Sequence, residues 1–501
     1  MALNAAGTNF CFSAMRSNQH VTQTATMPSN DGNFQHCRAN MADGFTRVLK
    51  VLSVAASRHR RPCLCPERTF MNICILVVFC LACCVTSHAQ SKHSPSSNFP
   101  TYEGRVMCGY QGWFRAEGDG SGEGWNHYSQ SGALTAATLH PDFWPDVSEY
   151  EKTYPTSLAT RDESTARVFS SWDQSTTDLH FRWMQQYGID GVFVQRFYGG
   201  LRTRPERLHS RVVLEHAIKS SQEYGRAIAV MYDLSGLRDH GEDCTAIIQD
   251  WKELVDELKI TSQPTNNYLY HRGKPLVVIW GLGFPDRGYN IRDIGVDKVI
   301  DFLKNDPQYG DCSVMLGVPT YFRDLNVDCL PDPYLHKLIE SADVVMPWMV
   351  QRFTPLLHLF DQTRYEVQVK ADMAWCAKRH VDYVPCVYPG FSWHNMHNHD
   401  GDHAMMYPLN QIPRQKGSFY WNLISGAIDA KAKMLYVAMF DEIDEGTAIF
   451  KCSNNPPAGV PLCDYEGMST DHYLWLTGEA GKMLRGEIPF STIIPPRENT
   501  K

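Results

Sequence analysis

The chain has 501 residues, 43% of them hydrophobic and 12% aromatic, and a net charge of −8. That is enough apolar material for a large core, in one large domain or two ordinary ones. Residues 1–70 carry 8 Lys/Arg against 3 Asp/Glu, which leaves the rest at −13 and argues against nucleic acid or an anionic membrane as partner.

The front end differs from the rest. Residues 1–70 show no sustained helical or strand period and close on a basic patch, Arg58 to Arg61 and Arg68. An apolar run of thirteen residues follows, 73–85. It is short for a membrane-spanning helix, which needs about 20 residues. It suits the apolar region of a signal peptide, with Ser87-His88-Ala89 as a small-x-small cleavage site before Gln90. The expected division is a non-native or disordered extension over 1–70, a signal peptide over 71–89, a polar Ser/Pro-rich linker over 90–100 and one domain over 101–490. That makes the mature protein secreted or periplasmic, with no membrane partner after cleavage. The alternatives are an anchor through 71–88 with a basic cytoplasmic tail, or lipid on Cys83 or Cys84. Eight of the 16 cysteines precede residue 90. An even number remains in the exported part, which permits disulfides. Cys452 and Cys463 flank a Pro/Gly/Asn-rich loop and are the expected pair.

From residue 100 onward, apolar strand-like runs alternate with helical patterns. The predicted strands are 105–110, 191–196, 227–232, 275–280, 313–318, 343–348, 383–388 and 434–440. They are rich in Val, Ile, Leu and Met with little polar alternation, as in parallel strands covered on both faces. The predicted helices are 173–187, 211–224, 245–259, 296–305, 334–341, 365–380, 419–432 and 470–484. Gly225 is a good stop for the second. Eight matched pairs give an α/β fold, a (β/α)8 TIM barrel forming a single catalytic domain after the export segment. A doubly wound open sheet would alternate in the same way, but no GxGxxG follows the first strand. The connection from 111 to 172 is the longest. Its Gly-rich acidic run at 117–125 lacks EF-hand spacing and is expected to be a mobile loop over the catalytic face.

The last strand carries the sharpest signal. Seven apolar residues, Met434 to Phe440, stop abruptly at Asp441, Glu442, Asp444 and Glu445. Clustered carboxylates repel one another and are costly to desolvate. A glycosidase has a use for them, because it needs one carboxyl protonated and another ionised nearby. A solvated acidic loop is the bland alternative.

Barrel active sites form at the carboxyl ends of the strands. Those positions give a candidate substrate-binding set: Tyr110, Trp113, Arg196, Tyr198, Tyr232, Asp233, Trp280, Tyr321, Trp348, Tyr388, Trp393, His394 and Asp441. Aromatic rings suit the flat faces of sugars, and polar groups suit their hydroxyl edges. Arg414, in a Pro-Arg-Gln-Lys-Gly stretch, is either a further binder of hydroxyls or a surface charge.

The run Glu442-Ile443-Asp444-Glu445-Gly446-Thr447-Ala448-Ile449 resembles the E-W-x-E-G-T-x-I signature of glycoside hydrolase family 99, the endo-α-mannosidases and related barrels. Residues 106–114 resemble that family's first strand and its aromatic turn. Residues 188–194, with Tyr198-Gly199, resemble its second. The α-1,3-glucanase family 71 is a near neighbour. The resemblance implies a retaining glycoside hydrolase acting on an α-linked carbohydrate: an α-mannoside, an α-glucan or another plant or algal polysaccharide, hemicellulose side chains included. It implies Glu445 as general acid/base. It implies that Glu442 takes the proton of the sugar 2-hydroxyl, which then attacks the anomeric carbon to give a 1,2-anhydro sugar. No cofactor and no metal are implied. The chain departs from the signature at Ile443, where the family has Trp, and at Asp441, where it usually has Asn.

Two other readings stand beside this one. A non-catalytic carbohydrate-binding barrel would keep the aromatic strand ends with an inert acid pair. A metal-dependent hydrolase would use the cluster His394, His397, His399, Asp400, Asp402 and His403. A Ser-His-Asp hydrolase is disfavoured, since no G-x-S-x-G follows a strand. Nothing in the sequence sets an oligomeric state.

Overall fold

All eight predicted strands form, and they are wholly parallel. The computed structural model describes residues 91–238, 241–355, 358–397 and 407–497. The extension, the signal peptide, and His399, Asp400, Asp402 and His403 of the His cluster lie outside the described residues.

The barrel strands are Arg105–Tyr110, Gly191–Phe197, Ala227–Asp233, Lys274–Trp280, Ser313–Pro319, Val344–Trp348, a seventh in two pieces, and Met434–Val437. The first lies between the eighth, with Arg105 opposite Met434, and the second, with Met107 opposite Gly191. The second to the sixth then pair in sequence order. The seventh strand closes the ring. Asp382–Tyr383 pairs with the sixth, and Cys386–Val387 with the eighth. Pro385 stands between the pieces and cannot donate to the ladder, which accounts for the break. Its carbonyl still accepts the Tyr436 N–H at 3.1 Å.

Side chains alternate along each strand between the interior and the helical layer. Tyr436 points inward: its hydroxyl reaches Met231 Sδ at 3.7 Å and Met439 Sδ at 3.5 Å, and its ring packs on Phe193. The eight predicted helices form around the ring. Helix Val212–Tyr224 ends at Gly225, whose φ of 61° is the left-handed geometry expected there.

Four features differ from expectation. The eighth strand ends at Val437 instead of Phe440: Ala438 and Phe440 still donate to the carbonyls of Val387 and Gly109 on the neighbouring strands, but Met439 N–H turns to Thr447 C=O and Ile449 N–H bonds Phe440 C=O. The connection over 111–172, whose run at 117–125 is the part expected as a mobile loop, is otherwise packed, and residues 117–124 are exposed or half-buried. It buries Trp125, Tyr128, Phe143, Trp144 and Tyr150 and contains the hairpin Tyr154–Ala159 with Thr165–Val168. Cys452 and Cys463 are free thiols, not a disulfide. Each is docked to a different point of the same segment, Cys463 opposite Phe143 and Cys452 opposite Pro145, so backbone bridges pin this loop in place of a crosslink. Residues 92–99, read as linker, hydrogen-bond to the backbone of Gln308, Thr261, Asn266 and Tyr270. Among the described residues, no helix is long and apolar enough to cross a membrane.

Candidate active site

The four carboxylates sit in a tight loop at the carboxyl end of the barrel, and each has different surroundings. Asp441 is fully buried and accepts the N–H groups of Gln111 and Gly112, both at 2.9 Å. It ties the turn after the first strand to the loop after the eighth. Glu442 is buried too. One oxygen accepts Gln111 Nε2 at 2.7 Å and the other meets the Thr447 hydroxyl at 2.6 Å. Asp444 places Oδ2 3.0 Å from His127 Nδ1 and leaves Oδ1 without a protein partner. Glu445 is half-buried, and no described residue hydrogen-bonds its carboxyl.

Burial is the main cause of their titration behaviour, with repulsion between neighbours second. The reason is that three of the four carboxylates lie behind the protein surface. Burial raises Asp441 to about 7 against the pull of its two N–H donors. It raises Asp444 to about 8, with Asp142 adding to the effect. It raises Glu445 to about 8, where Asp444 and Asp233 add and Arg287 opposes. Glu442 is also pushed well up, by burial and then by Glu445 and Asp444, against the donors Thr447 and Gln111.

The strand-end residues divide by direction. Trp113 is half-buried beside the carboxylates, stacked on His127 with centroids 3.7 Å apart and on Phe197 at 5.2 Å. Asp233 lies within electrostatic reach of Glu445 and Arg287. Trp280 packs edge-on to Trp348 at 5.4 Å and carries the Arg287 guanidinium over its ring at 5.1 Å. Trp393 and His394 follow Ser392, whose N–H donates to the Glu445 carbonyl at 3.1 Å. His394 donates its N–H to Asp142 at 2.7 Å. Tyr321 is half-buried on the loop after the fifth strand, next to Thr320 and near Asp328, which holds its N–H.

The other candidates are turned away, and their polar groups are taken up by protein. The Tyr110 hydroxyl is 2.9 Å from His180 Nδ1 on the outer helix. Arg196 and Tyr232 both bond Asp250, Arg196 through Nε at 2.8 Å and Tyr232 through its hydroxyl at 2.8 Å. Tyr198 donates to the Asp243 carbonyl, and Tyr388 to the Phe353 carbonyl at 2.6 Å. Arg414 is buried under Phe143 and Tyr473 and donates to the carbonyls of Gly446 and Ala448 at 2.9 and 2.7 Å. It braces the carboxylate loop from behind. Asp441 likewise acts on backbone. Alternation along the strand is the reason for the first three: Tyr110, Arg196 and Tyr232 occupy outward positions, whereas Gln111, Phe197 and Asp233 occupy inward ones.

Three residues of the site were not among the candidates. Gln111 was one position from Tyr110, and strand parity alone could have selected it. His127 and Arg287 come from long connections, where the local sequence carries no signal. Of the His cluster, His394 and His397 are described. His397 stacks on Tyr407 at 4.4 Å and meets Trp393 edge-on at 4.1 Å. Among the described residues, the buried polar atoms without a hydrogen-bond partner include six at this end of the barrel: Gln111 Oε1, Trp113 Nε1, Gln195 Oε1, Trp280 Nε1, Arg287 Nε and Asp444 Oδ1. Such atoms are rare in folded proteins.

Gly446 holds the loop's shape. Its φ is 65°, and a Cβ there would lie 2.7 Å from the Ser392 backbone nitrogen. Gly446→Ala is therefore expected to cost about 1–3 kcal/mol and to displace Glu445. Denaturant unfolding measures the first, and an unchanged midpoint would refute it.

No family model matches the chain, and no curated protein matches it. Among solved structures, the GH99 endo-α-mannosidase of Bacteroides thetaiotaomicron superposes with a TM-score of 0.53 over 77% of this chain and 99% of that one, at 14% identity. The same enzyme in complex with BIS-TRIS-propane gives the same values. The fold is GH99-like. The two departures from the family signature fall behind the site in this GH99-like barrel. Ile443 is fully buried, with its carbonyl bonded to the Asp142 N–H at 3.0 Å, and Asp441 faces the 111–112 turn.

Proposed function

We propose that the protein is a retaining glycoside hydrolase of α-linked carbohydrate, with Glu445 as general acid/base and Glu442 as the base for the sugar 2-hydroxyl. The observation that carries this is the contrast between the two glutamates. Glu442 has both oxygens held, by the Gln111 amide and the Thr447 hydroxyl. Such partners favour the charged form. Glu445 has no such partner among the described residues, so the proton of the pair is assigned there, against the burial that pushes Glu442 up. In the reaction, Glu445 gives that proton to the leaving oxygen as the glycosidic bond breaks. Glu442 takes the 2-hydroxyl proton, and the 2-oxygen closes on the anomeric carbon. Water, deprotonated by Glu445, then opens the 1,2-anhydro ring as Glu442 returns its proton to the 2-oxygen, and two inversions give net retention. Trp280 and Trp348 supply ring surface, and Asp233 and Arg287 supply polar contacts. The unpartnered polar atoms around them support a site made to bind a hydroxyl-rich ligand.

The substrate class extends from α-mannosides to α-glucans and other plant or algal polysaccharides, and export through residues 71–89 fits an extracellular polymer. Incubating the full chain with a panel of α-glycans, and following reducing ends and product anomer by NMR, tests this reading. Release of product with the starting anomeric configuration is expected. Binding with no release across the panel would sink it in favour of a non-catalytic barrel.

The pH profile gives a second test. Glu445 must be protonated to act as acid, so activity is present below its pKa and lost as pH rises through about 8. The Arg287 charge lowers that pKa and Asp233 raises it. Arg287→Met should therefore move the alkaline limb of kcat/KM up, and Asp233→Asn should move it down. Shifts in the same direction would remove Glu445 from this role.

A further inference from the structure

The geometry points to His127 as the residue that reads a hydroxyl of the sugar bound beside Glu445, hydrogen-bonding it through Nε2. This rests on the glycosidase reading of the site and adds a specificity determinant to it. His127 reaches the site from the long connection after the first strand, in the left-handed region at φ 62°, which is uncommon for a residue with a side chain. Strained backbone of this kind persists where neighbours hold it. Here the Arg115 N–H donates to the Asn126 carbonyl at 3.1 Å on one side, and the Tyr128 hydroxyl donates to the Phe169 carbonyl at 2.9 Å on the other. The ring lies on Trp113, 7° from parallel, and its Nδ1 is fixed by Asp444, the residue next to Glu445. The imidazole is thus locked in orientation relative to the acid.

The two partners differ in access. The Asp444 side chain is 0% exposed, while that of His127 keeps 15%. No described residue takes Nε2. What Nε2 offers depends on Asp444. With Asp444 ionised, Nδ1 carries the hydrogen and Nε2 accepts. With Asp444 protonated, the acid donates to Nδ1 and Nε2–H donates. A carboxylate or an ammonium ligand would suit one state only. A hydroxyl both donates and accepts, so it fits Nε2 in either state, which selects a sugar hydroxyl as the group being read.

The test compares wild type with His127→Phe, which keeps a ring on Trp113 and deletes both nitrogens. Asp444→Asn serves as the second variant. Binding is measured by calorimetry with an α-linked oligosaccharide and its monodeoxy analogues, and hydrolysis with the same set. In wild type, one deoxy position is expected to weaken binding by roughly tenfold, the scale of one lost hydrogen bond. In His127→Phe the parent sugar should weaken by the same factor, and that deoxy position should cease to matter. Asp444→Asn should blunt the same discrimination. A folded His127→Phe that keeps full affinity and the wild-type deoxy pattern overturns the inference. If wild type binds but never hydrolyses, the discrimination can still appear: the hydrolase reading then fails and the His127 contact stands. If wild type neither binds nor hydrolyses, both fail.

Discussion

Glu445→Gln is expected to lower kcat on an unactivated α-glycoside by about 10²–10⁴-fold, the range over which a positioned general acid/base acts. The amide is nearly isosteric and has no proton to give. The carboxyl it replaces is half-exposed and bonded to no described residue, so the fold should be unaffected, with the same unfolding midpoint. Leaving-group chemistry sharpens the expectation. An aryl glycoside whose leaving group departs without a proton needs little acid assistance in the first step, so its bond cleavage should suffer far less than that of a natural oligosaccharide. Steady-state kinetics on both substrate types, run beside circular dichroism, read the two effects. Equal losses on both types, or no loss on either, would take Glu445 out of the acid role. Glu442→Gln differs in kind. It removes a base needed whatever the leaving group, so both substrate types should lose rate together.

The largest expected effect on stability lies elsewhere. Arg196 and Asp250 form a buried pair, each side chain 1% exposed, with two hydrogen bonds between them and the Tyr232 hydroxyl on the same carboxylate at 2.8 Å. Arg196→Met should cost about 3–5 kcal/mol, because it strands a charge in the helical layer with one neutral donor left. Replacing both partners with apolar residues of similar volume should recover much of that, since the penalty is the unpaired charge and not the loss of attraction. Guanidinium unfolding of the single and double variants measures the difference. KM on whatever glycan the wild type cleaves should not move, because Arg196 faces away from the cleft. A higher KM with an unchanged midpoint would return Arg196 to the substrate side and contradict the strand parity described above.

The alternation of buried strand and helix was legible in local sequence. Eight apolar runs lacking polar alternation could be satisfied only by strands buried on both faces, and their spacing left room for one helix each. All eight formed, and Gly225 ended its helix where a left-handed residue was needed. The carboxylates after Phe440 were equally legible. Hydropathy that collapses at a strand end is a local signal, and the resemblance to the family 99 signature lay in the same few residues. Local sequence could not say which carboxylate is left half-exposed. Asp441 and Glu445 are four residues apart in one loop, yet one is spent on the backbone of a turn 330 residues earlier and the other is open.

The residues that surround them were set by packing between distant segments. Tyr110, Arg196 and Tyr232 had the right chemistry on the outward side of their strands, and a one-residue change of parity separates a position facing the barrel interior from one facing the helices. His127, Arg287 and the Arg414 brace are each set by contacts between segments distant in the chain, so no window of sequence contains them. The same holds for the free thiols of Cys452 and Cys463, which the 142–146 segment holds at separate points. A strand's burial is written in its own residues; a site's geometry is written in the packing of loops that share no sequence neighbourhood.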